Sequence, residues 1–583
     1  MCGIFGITTG NKNFEVKKAI ECFKYRGPDD TGVWSDDKIT FSNVRLAIID
    51  PQSKSNQPMF DESDEIGIVF NGEIYNYEEL KKDLSEYNFK TNSDTEMIIY
   101  AYKKWGKKCF SKFLGMFAIC IYDKKLNKII LARDHVGIKP LYYTLDKKNC
   151  LTFSSEVKGI LNLYNAENSK FEIAKEEILN LLTLGFIQSP KTLYMNIFKL
   201  EKSSILEFDL NTKKFEIEKF EIETKINNLS LDQVLERSVD RHLVSDVPVG
   251  LFFSGGTDSS IIASYLKKKN INMNAYSIVM PHKSIDEKYI DLIGKHLNLN
   301  LKTFVFDTNE FNQIYQEVMN KVDEPLYDAS IFPTYFVSKM ASKEVKVVLS
   351  GEGGDEYFLG YDRQLVLNKL AKYQDSKLSF LDYLYLLTPN FKGKKKIFEK
   401  IFIIFKKPIS YFLLKMSIWE NISGWRNFKK MVVEKNMVGT EIDTEIYLEN
   451  DLLRKIDFAT SYSSLEGRVP LLDPEVIAFT DKLTADQKLT NNELKFELKK
   501  VLENYLPKEY IYREKSGFSS PLSYFFKNSK LLREDLYRAI GFFRTQEYVW
   551  KYIKDMDFDK LQKTSPYFCF TLISLYYCLK NHD

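Results

Sequence analysis

The chain has 583 residues, room for two to four domains at ~150 residues each, and its 44% hydrophobic and 28% charged content is that of a globular protein. Its 83 Lys and Arg against 80 Asp and Glu leave a formal charge of +3, too balanced to indicate a nucleic-acid partner. Seven cysteines without a CxxC pair and five scattered histidines argue against a disulfide scaffold and against zinc on closely spaced ligands, and fit a reduced, cytoplasmic compartment.

The first third reads as strand-rich. Glu65–Phe70, Ala118–Tyr122, Lys128–Ala132 and Leu141–Thr144 are short apolar runs bounded by turn residues, with helices predicted over Tyr77–Tyr87 and Asp94–Trp105. The polar stretch 209–229 reads as a closing strand and linker, which sets domain boundaries at 2–208 and 228–583. Beyond it strand and helix alternate. Val249–Phe253, Met273–Met280, Lys302–Phe306 and Glu344–Leu349 are predicted strands, and Ser259–Lys268 and Lys288–His296 predicted helices, the rhythm of a doubly wound parallel sheet. After Arg363 the pattern turns helical. The most membrane-like stretch, 397–416, is interrupted by Glu399, Lys400, Lys406, Lys407, Pro408 and Lys415, so no membrane span is expected. Residues 392–415 carry eight lysines against Glu399 alone and read as a helical pair with a basic outer face.

Cys2 follows the initiator methionine and precedes Gly3. Removal of Met1 would place an α-amino group, with its pKa near ~8, beside the thiol, so one residue would supply both nucleophile and base. After it, in order, come Arg26–Asp30 (RGPDD), Arg45–Asp50 (RLAIID), Asn71–Tyr77 (NGEIYNY), Ser93–Glu96 (SDTE) and Ala132–Tyr143 (ARDHVGIKPLYY). Together these resemble the glutaminase domain of class II, N-terminal-nucleophile, glutamine amidotransferases. The resemblance implies an αββα sandwich in which Cys2 attacks the glutamine side-chain amide. Asn71 and Gly72 would then form the oxyanion hole, Arg45 would take the α-carboxylate, and Asp94 with Gly72 and Glu73 would take the α-ammonium. Arg26 and Asp30 are expected to support the loop.

The second cluster, Ser254-Gly255-Gly256-Thr257-Asp258-Ser259-Ser260, follows a strand and opens a helix, as a phosphate cradle does. It lacks the Walker lysine and resembles the pyrophosphate loop of enzymes that split ATP between the α- and β-phosphates. Behind a class II glutaminase domain it is similar to the glutamine-hydrolysing asparagine synthetase family. Ser350–Glu356 (SGEGGDE), Ser464–Asp473 (SLEGRVPLLD), Lys495 and Lys515 match further positions of that family. Two departures stand out: Thr257 where an apolar branched residue is usual, and Leu359-Gly360 where two glycines often occur.

That family resemblance implies asparagine synthesis from glutamine, aspartate and ATP through β-aspartyl-AMP, in an α/β protein with a helical C-terminal part. Mg2+ would sit on Asp258 and Asp355. Lys515 and Lys495 would neutralise pyrophosphate, and Glu352 would handle the proton of attacking ammonia. Adenine would lie near Phe252 and Ile278, with backbone contacts at Ser350 and Gly351, and the phosphates at Ser254, Gly255, Gly256, Ser259 and Ser260. No motif names the acceptor, so amidation of a sugar or peptide carboxylate stands as the alternative. The oligomeric state is open, a homodimer included.

Overall fold

A computed structural model of the chain describes every residue except 167–168, 281–284, 374–417, 419–440, 514–521 and 582–583. Lys515 and the basic stretch 392–415 therefore lie outside the described residues. The N-terminal part contains two six-stranded antiparallel sheets. One runs, in spatial order, Ile197–Lys199, Tyr142–Leu145, Leu151–Ser154, Gly3–Ile7, Thr40–Arg45 and Asp30–Ser35. The other runs Lys214–Lys219, Ser204–Asp209, Lys128–Arg133, Gly115–Asp123, Ile66–Ile74 and Met59–Phe60.

Period-two alternation explains how the sheets stack. Along Gly115–Asp123 every residue is buried, yet the two faces go to different cores. Ala118, Cys120 and Tyr122 pack with Ile4, Phe41 and Phe153 of the facing sheet. Phe117, Ile119 and Ile121 join Met97, Ile98 and Leu80 from the helices Asp94–Trp105 and Tyr77–Asp83. Outside the first sheet lie Asn13–Glu21 and Val157–Ala166. This is the expected αββα sandwich. Strand Lys214–Lys219 pairs with Ser204–Asp209 over six consecutive residues. The sandwich therefore runs past the residue-208 boundary expected from sequence, because that hairpin completes the sheet edge.

The C-terminal part is built on a parallel five-stranded sheet, ordered Asn300–Val305, Asn274–Val279, Val249–Phe252, Val347–Leu349 and Glu466–Arg468. The fifth strand lies inside SLEGRVP and was not predicted. The chain leaves Val249–Phe252 toward one edge of the sheet and returns to it on the other side at Val347–Leu349. The crevice between the C-terminal ends of these two strands is a topological switch point, the place where open α/β sheets bind ligands. Helices cover both faces and continue to Pro566–Lys580.

The two parts share a buried charged interface. Arg26, fully buried, pairs with Glu156 of its own part at 3.0 Å and with Asp457 of the other at 2.9 Å. Arg133 meets Glu449, also buried, at 2.7 Å, and at the exposed rim Lys346 meets Asp29 at 2.7 Å. Glu449 belongs to a π-helical run, Asp443–Leu452, that continues as the helix Leu453–Ser461. No described helix is long and apolar enough to cross a membrane.

Candidate functional sites

In the first site Cys2 lies at the head of strand Gly3–Ile7, buried, its backbone N–H donating to Asn71 Oδ1 at 3.0 Å. Its thiol points at the Leu46 carbonyl, 3.8 Å away. Burial pushes the thiol pKa up. Asn71 Nδ2 is buried and makes no hydrogen bond among the described residues. An orphaned donor of this kind is costly in a folded interior and suits a developing oxyanion. Gly72 follows it. A Cβ there would lie 2.0 Å from the Met116 carbonyl oxygen, so only glycine fits. Arg26 Nε donates to the Cys2 carbonyl at 3.0 Å.

Arg45 is turned onto its own loop, donating to the carbonyls of Ile49, Asp50 and Gln52 and to Asn56 Oδ1. Asp94 opens its helix behind the Ser93 N-cap and accepts from the Ile74 N–H at 3.0 Å. Burial raises its pKa to about 6. Glu73 is also buried, 3.6 Å from Arg468 of the fifth parallel strand. Burial and the neighbouring Asp94 carboxylate push its pKa well above the usual range. Two buried carboxyls, one on strand Ile66–Ile74 and one at the head of Asp94–Trp105, thus lie close enough to repel each other.

The second site fills the switch-point crevice. Asp258 is in the first turn of helix Thr257–Lys268. Gly351 and Gly354 let the SGEGGDE loop approach it, for a Cβ at 351 would lie 2.8 Å from Asp258 Cβ and one at 354 would lie 2.3 Å from Asp258 Oδ1. Lys495 joins the two loops, pairing with Asp258 and, at 2.7 Å, with Asp355. The cradle is braced from within. Ser254 Oγ and Ser259 Oγ are 3.2 Å apart, and Ser254 Oγ accepts from the Gly256 N–H. Gly255 has φ +68°, a conformation in which glycine carries no Cβ penalty. Ser260 Oγ is buried without a hydrogen bond among the described residues. Phe252 and Ile278, on neighbouring strands, share one apolar cluster with Phe304. The Ser350 N–H is taken by the Arg468 carbonyl at 2.8 Å.

Glu352 is held by a residue that the motif reading missed, Lys455 on the interdomain helix, at 2.9 Å. Burial works against the Lys455 charge, but Glu352 and Asp328 hold its ammonium well above the ordinary range. Residues 452–459 (LLRKIDFA) mix Arg454, Lys455 and Asp457 with apolar residues, so composition alone does not single Lys455 out. Arg513 was also missed. It donates to the Gly255 carbonyl at 2.7 Å and lies 4.0 Å from the Tyr289 ring centroid. The Leu359-Gly360 departure has a local consequence. Leu359 adopts φ +56°, a left-handed conformation that costs a non-glycine residue ~1–2 kcal/mol, while its side chain is buried.

Residues 1–221 match the glutamine amidotransferase domain, and residues 230–546 match asparagine synthase. The chain belongs to the asparagine synthase family. Asparagine synthetase [glutamine-hydrolyzing] 1 of Bacillus subtilis is 30% identical, over 94% of this chain and 92% of its own length. A putative asparagine synthetase [glutamine-hydrolyzing] 2 of Methanocaldococcus jannaschii is 39% identical over 62% of this chain and 76% of its own. A putative asparagine synthetase [glutamine-hydrolyzing] of Mycobacterium bovis is 28% identical over 90% and 87%. As a family member the chain is a carbon–nitrogen ligase with glutamine as amide donor and ATP as co-substrate.

Proposed function

We propose that the chain makes asparagine, by hydrolysing glutamine at Cys2 and amidating aspartate through β-aspartyl-AMP with release of AMP and pyrophosphate. The supporting observation is the clamp of Lys495 across Asp258 and Asp355, which closes a phosphate cradle at the switch point with Glu352 on the same loop.

In the glutaminase half, loss of Met1 frees the α-amino group of Cys2 to act as base for its thiol. Asn71 Nδ2 and the Gly72 N–H receive the oxyanion of the tetrahedral intermediate. Arg45, on the loop it braces, takes the glutamine carboxylate, and Asp94 with Glu73 takes the ammonium.

In the synthetase half, the backbone of Ser254–Gly256 and the hydroxyls of Ser259 and Ser260 receive the phosphates, and Phe252 and Ile278 the adenine. Asp258 and Asp355, the two carboxylates around Lys495, are hard oxygen donors that would hold Mg2+. When bound there, the ion would neutralise charge on the phosphates. Lys495 and Lys515 stabilise departing pyrophosphate. Glu352 removes a proton from ammonia as it attacks the acyl-adenylate, with Lys455 fixing its carboxylate.

The test is the nucleotide product with glutamine and aspartate supplied. AMP and pyrophosphate, one each per asparagine, are expected. ADP and phosphate would reject the adenylation, and AMP release only with uronic acids would reject the acceptor.

A further inference from the structure

Arg468 belongs to the synthetase half by its backbone and to the glutaminase half by its side chain. It ends the parallel strand Glu466–Arg468, and its carbonyl accepts the N–H of Ser350, the residue that opens the Glu352 loop, at 2.8 Å. Its guanidinium is fully buried and held in place. Nε donates to Glu466 Oε1 at 2.8 Å, and Nη1 donates to the His242 and Val244 carbonyls at 2.9 and 2.6 Å. A guanidinium carries five N–H donors, and these contacts use three of them. The remaining two are on Nη2, which is buried and makes no hydrogen bond among the described residues.

Nη2 faces Glu73. Glu73 Oε1 lies 3.6 Å from it, just beyond hydrogen-bond distance. Glu73 Oε2 is buried without a hydrogen bond among the described residues. A buried donor and a buried acceptor left unpaired this close together are costly. Burial, Asp94 and Glu466 work against the carboxylate form of Glu73, whereas Arg468 and the amino terminus favour it. An arriving ammonium group shifts that balance toward the carboxylate. The carboxylate in turn accepts from a guanidinium far more strongly than a neutral carboxyl does.

We infer that Arg468 is a positioning residue of the glutaminase reaction, supplied by the synthetase half to hold the Glu73 carboxylate for the α-ammonium group of glutamine. It acts through Glu73 and not on the reacting amide. The three fixed N–H groups set its place, and the two on Nη2 are left for Glu73. The strand that carries Arg468 also holds Ser350, so glutamine is gripped firmly only when the two halves are docked. The inference rests on the proposed use of Glu73 in glutamine binding.

The experiment measures glutamine hydrolysis by the full-length protein, by Arg468→Gln, by Glu73→Gln and by the double variant, with thermal melting to verify folding. Arg468→Gln should raise the KM for glutamine about 30-fold, or ~2.1 kcal/mol at ~1.4 kcal/mol per decade. Its kcat should stay within about threefold, since binding is what the contact serves. Arg468→Lys keeps the charge and loses the fork, so its KM should rise only about fivefold. In the Glu73→Gln background either Arg468 substitution should change KM by less than about twofold, because its partner is gone. A purely structural role would cost the same in both backgrounds. Should Arg468→Gln fail to fold, Arg468→Lys in the two backgrounds makes the same comparison. A KM rise of equal size in both backgrounds, or in neither, overturns the role of Arg468 alone. A glutamine KM unchanged in Glu73→Gln overturns the ammonium assignment and the inference together.

Discussion

Replacing Gly360 with alanine tests whether the Lys495 clamp governs nucleotide chemistry. The Gly360 φ lies outside the left-handed region, so alanine adds no backbone strain. Its Cβ, however, would lie 2.0 Å from Asp355 Oδ1 and 2.2 Å from Lys495 Cε, where ordinary contact begins at 3.4 Å. The Gly360 backbone is tied down by its N–H bond to the Asp355 carbonyl at 2.8 Å, so the two side chains must yield by roughly 1.2–1.4 Å. Both atoms belong to side-chain ends, which can move without unfolding the loop. A displacement of ~1 Å in a positioning group costs about 10²-fold in rate, or ~2.7 kcal/mol of transition-state stabilisation. Aspartate-dependent exchange of labelled pyrophosphate into ATP should therefore fall about 100-fold in Gly360→Ala, with the melting temperature little changed. Gly541→Ala is the control. A Cβ there meets nothing within 4 Å, and its helical position should gain up to ~1 kcal/mol in stability. Exchange by Gly360→Ala within threefold of the unsubstituted protein would refute the reasoning, since the Asp355–Lys495 geometry would then be immaterial to the reaction.

Cys2→Ala should abolish glutamine-dependent synthesis and keep synthesis from ammonium salts; loss of both would mean that the two sites do not act separately. Asp258→Asn should lose pyrophosphate exchange, whereas Glu352→Gln should keep it and slow amide formation by ~10²–10⁴-fold, which rapid-quench analysis of asparagine formation would measure. Asp94, its pKa raised to about 6 by burial, is neutral below that pH and anionic above it. The KM for glutamine should therefore rise as pH falls through about 6, and Asp94→Asn should raise KM and flatten that limb; an unchanged profile would remove Asp94 from ammonium binding.

Much of the architecture was legible because local chemistry and topology agree. Val249–Phe253 followed by two glycines and a helix reads as a strand, a cradle and a helix start, and the structure has them. The run Gly115–Asp123 was shortened in the reading to Ala118–Tyr122, since a strand buried on both faces shows no polar alternation at its ends. Strand Glu466–Arg468 escaped because three residues, two of them charged, carry no apolar signature; its pairing with Val347–Leu349 supplies what composition does not. In the sites, the motif loops marked Cys2, Asn71, Asp258 and Asp355, whereas Lys455 lies on a helix about 100 residues from Glu352. Only the fold brings it there. Arg45 illustrates the converse, a residue marked for substrate whose visible bonds are to its own loop.

The buried guanidinium of Arg26 imposes an order on synthesis of the chain. Its two carboxylate partners lie 130 and 431 residues downstream. During translation, at ~5–20 residues per second, the nascent sandwich can satisfy Arg26 with Glu156 tens of seconds before Asp457 leaves the ribosome. Glu156 also receives Lys158 at 2.7 Å and the Tyr25 hydroxyl, so the early partner is already shared. The amino-terminal half can therefore emerge with this charge half-matched. The cation becomes fully neutralised only when the interdomain helix docks, and the nascent chain closes around its own beginning.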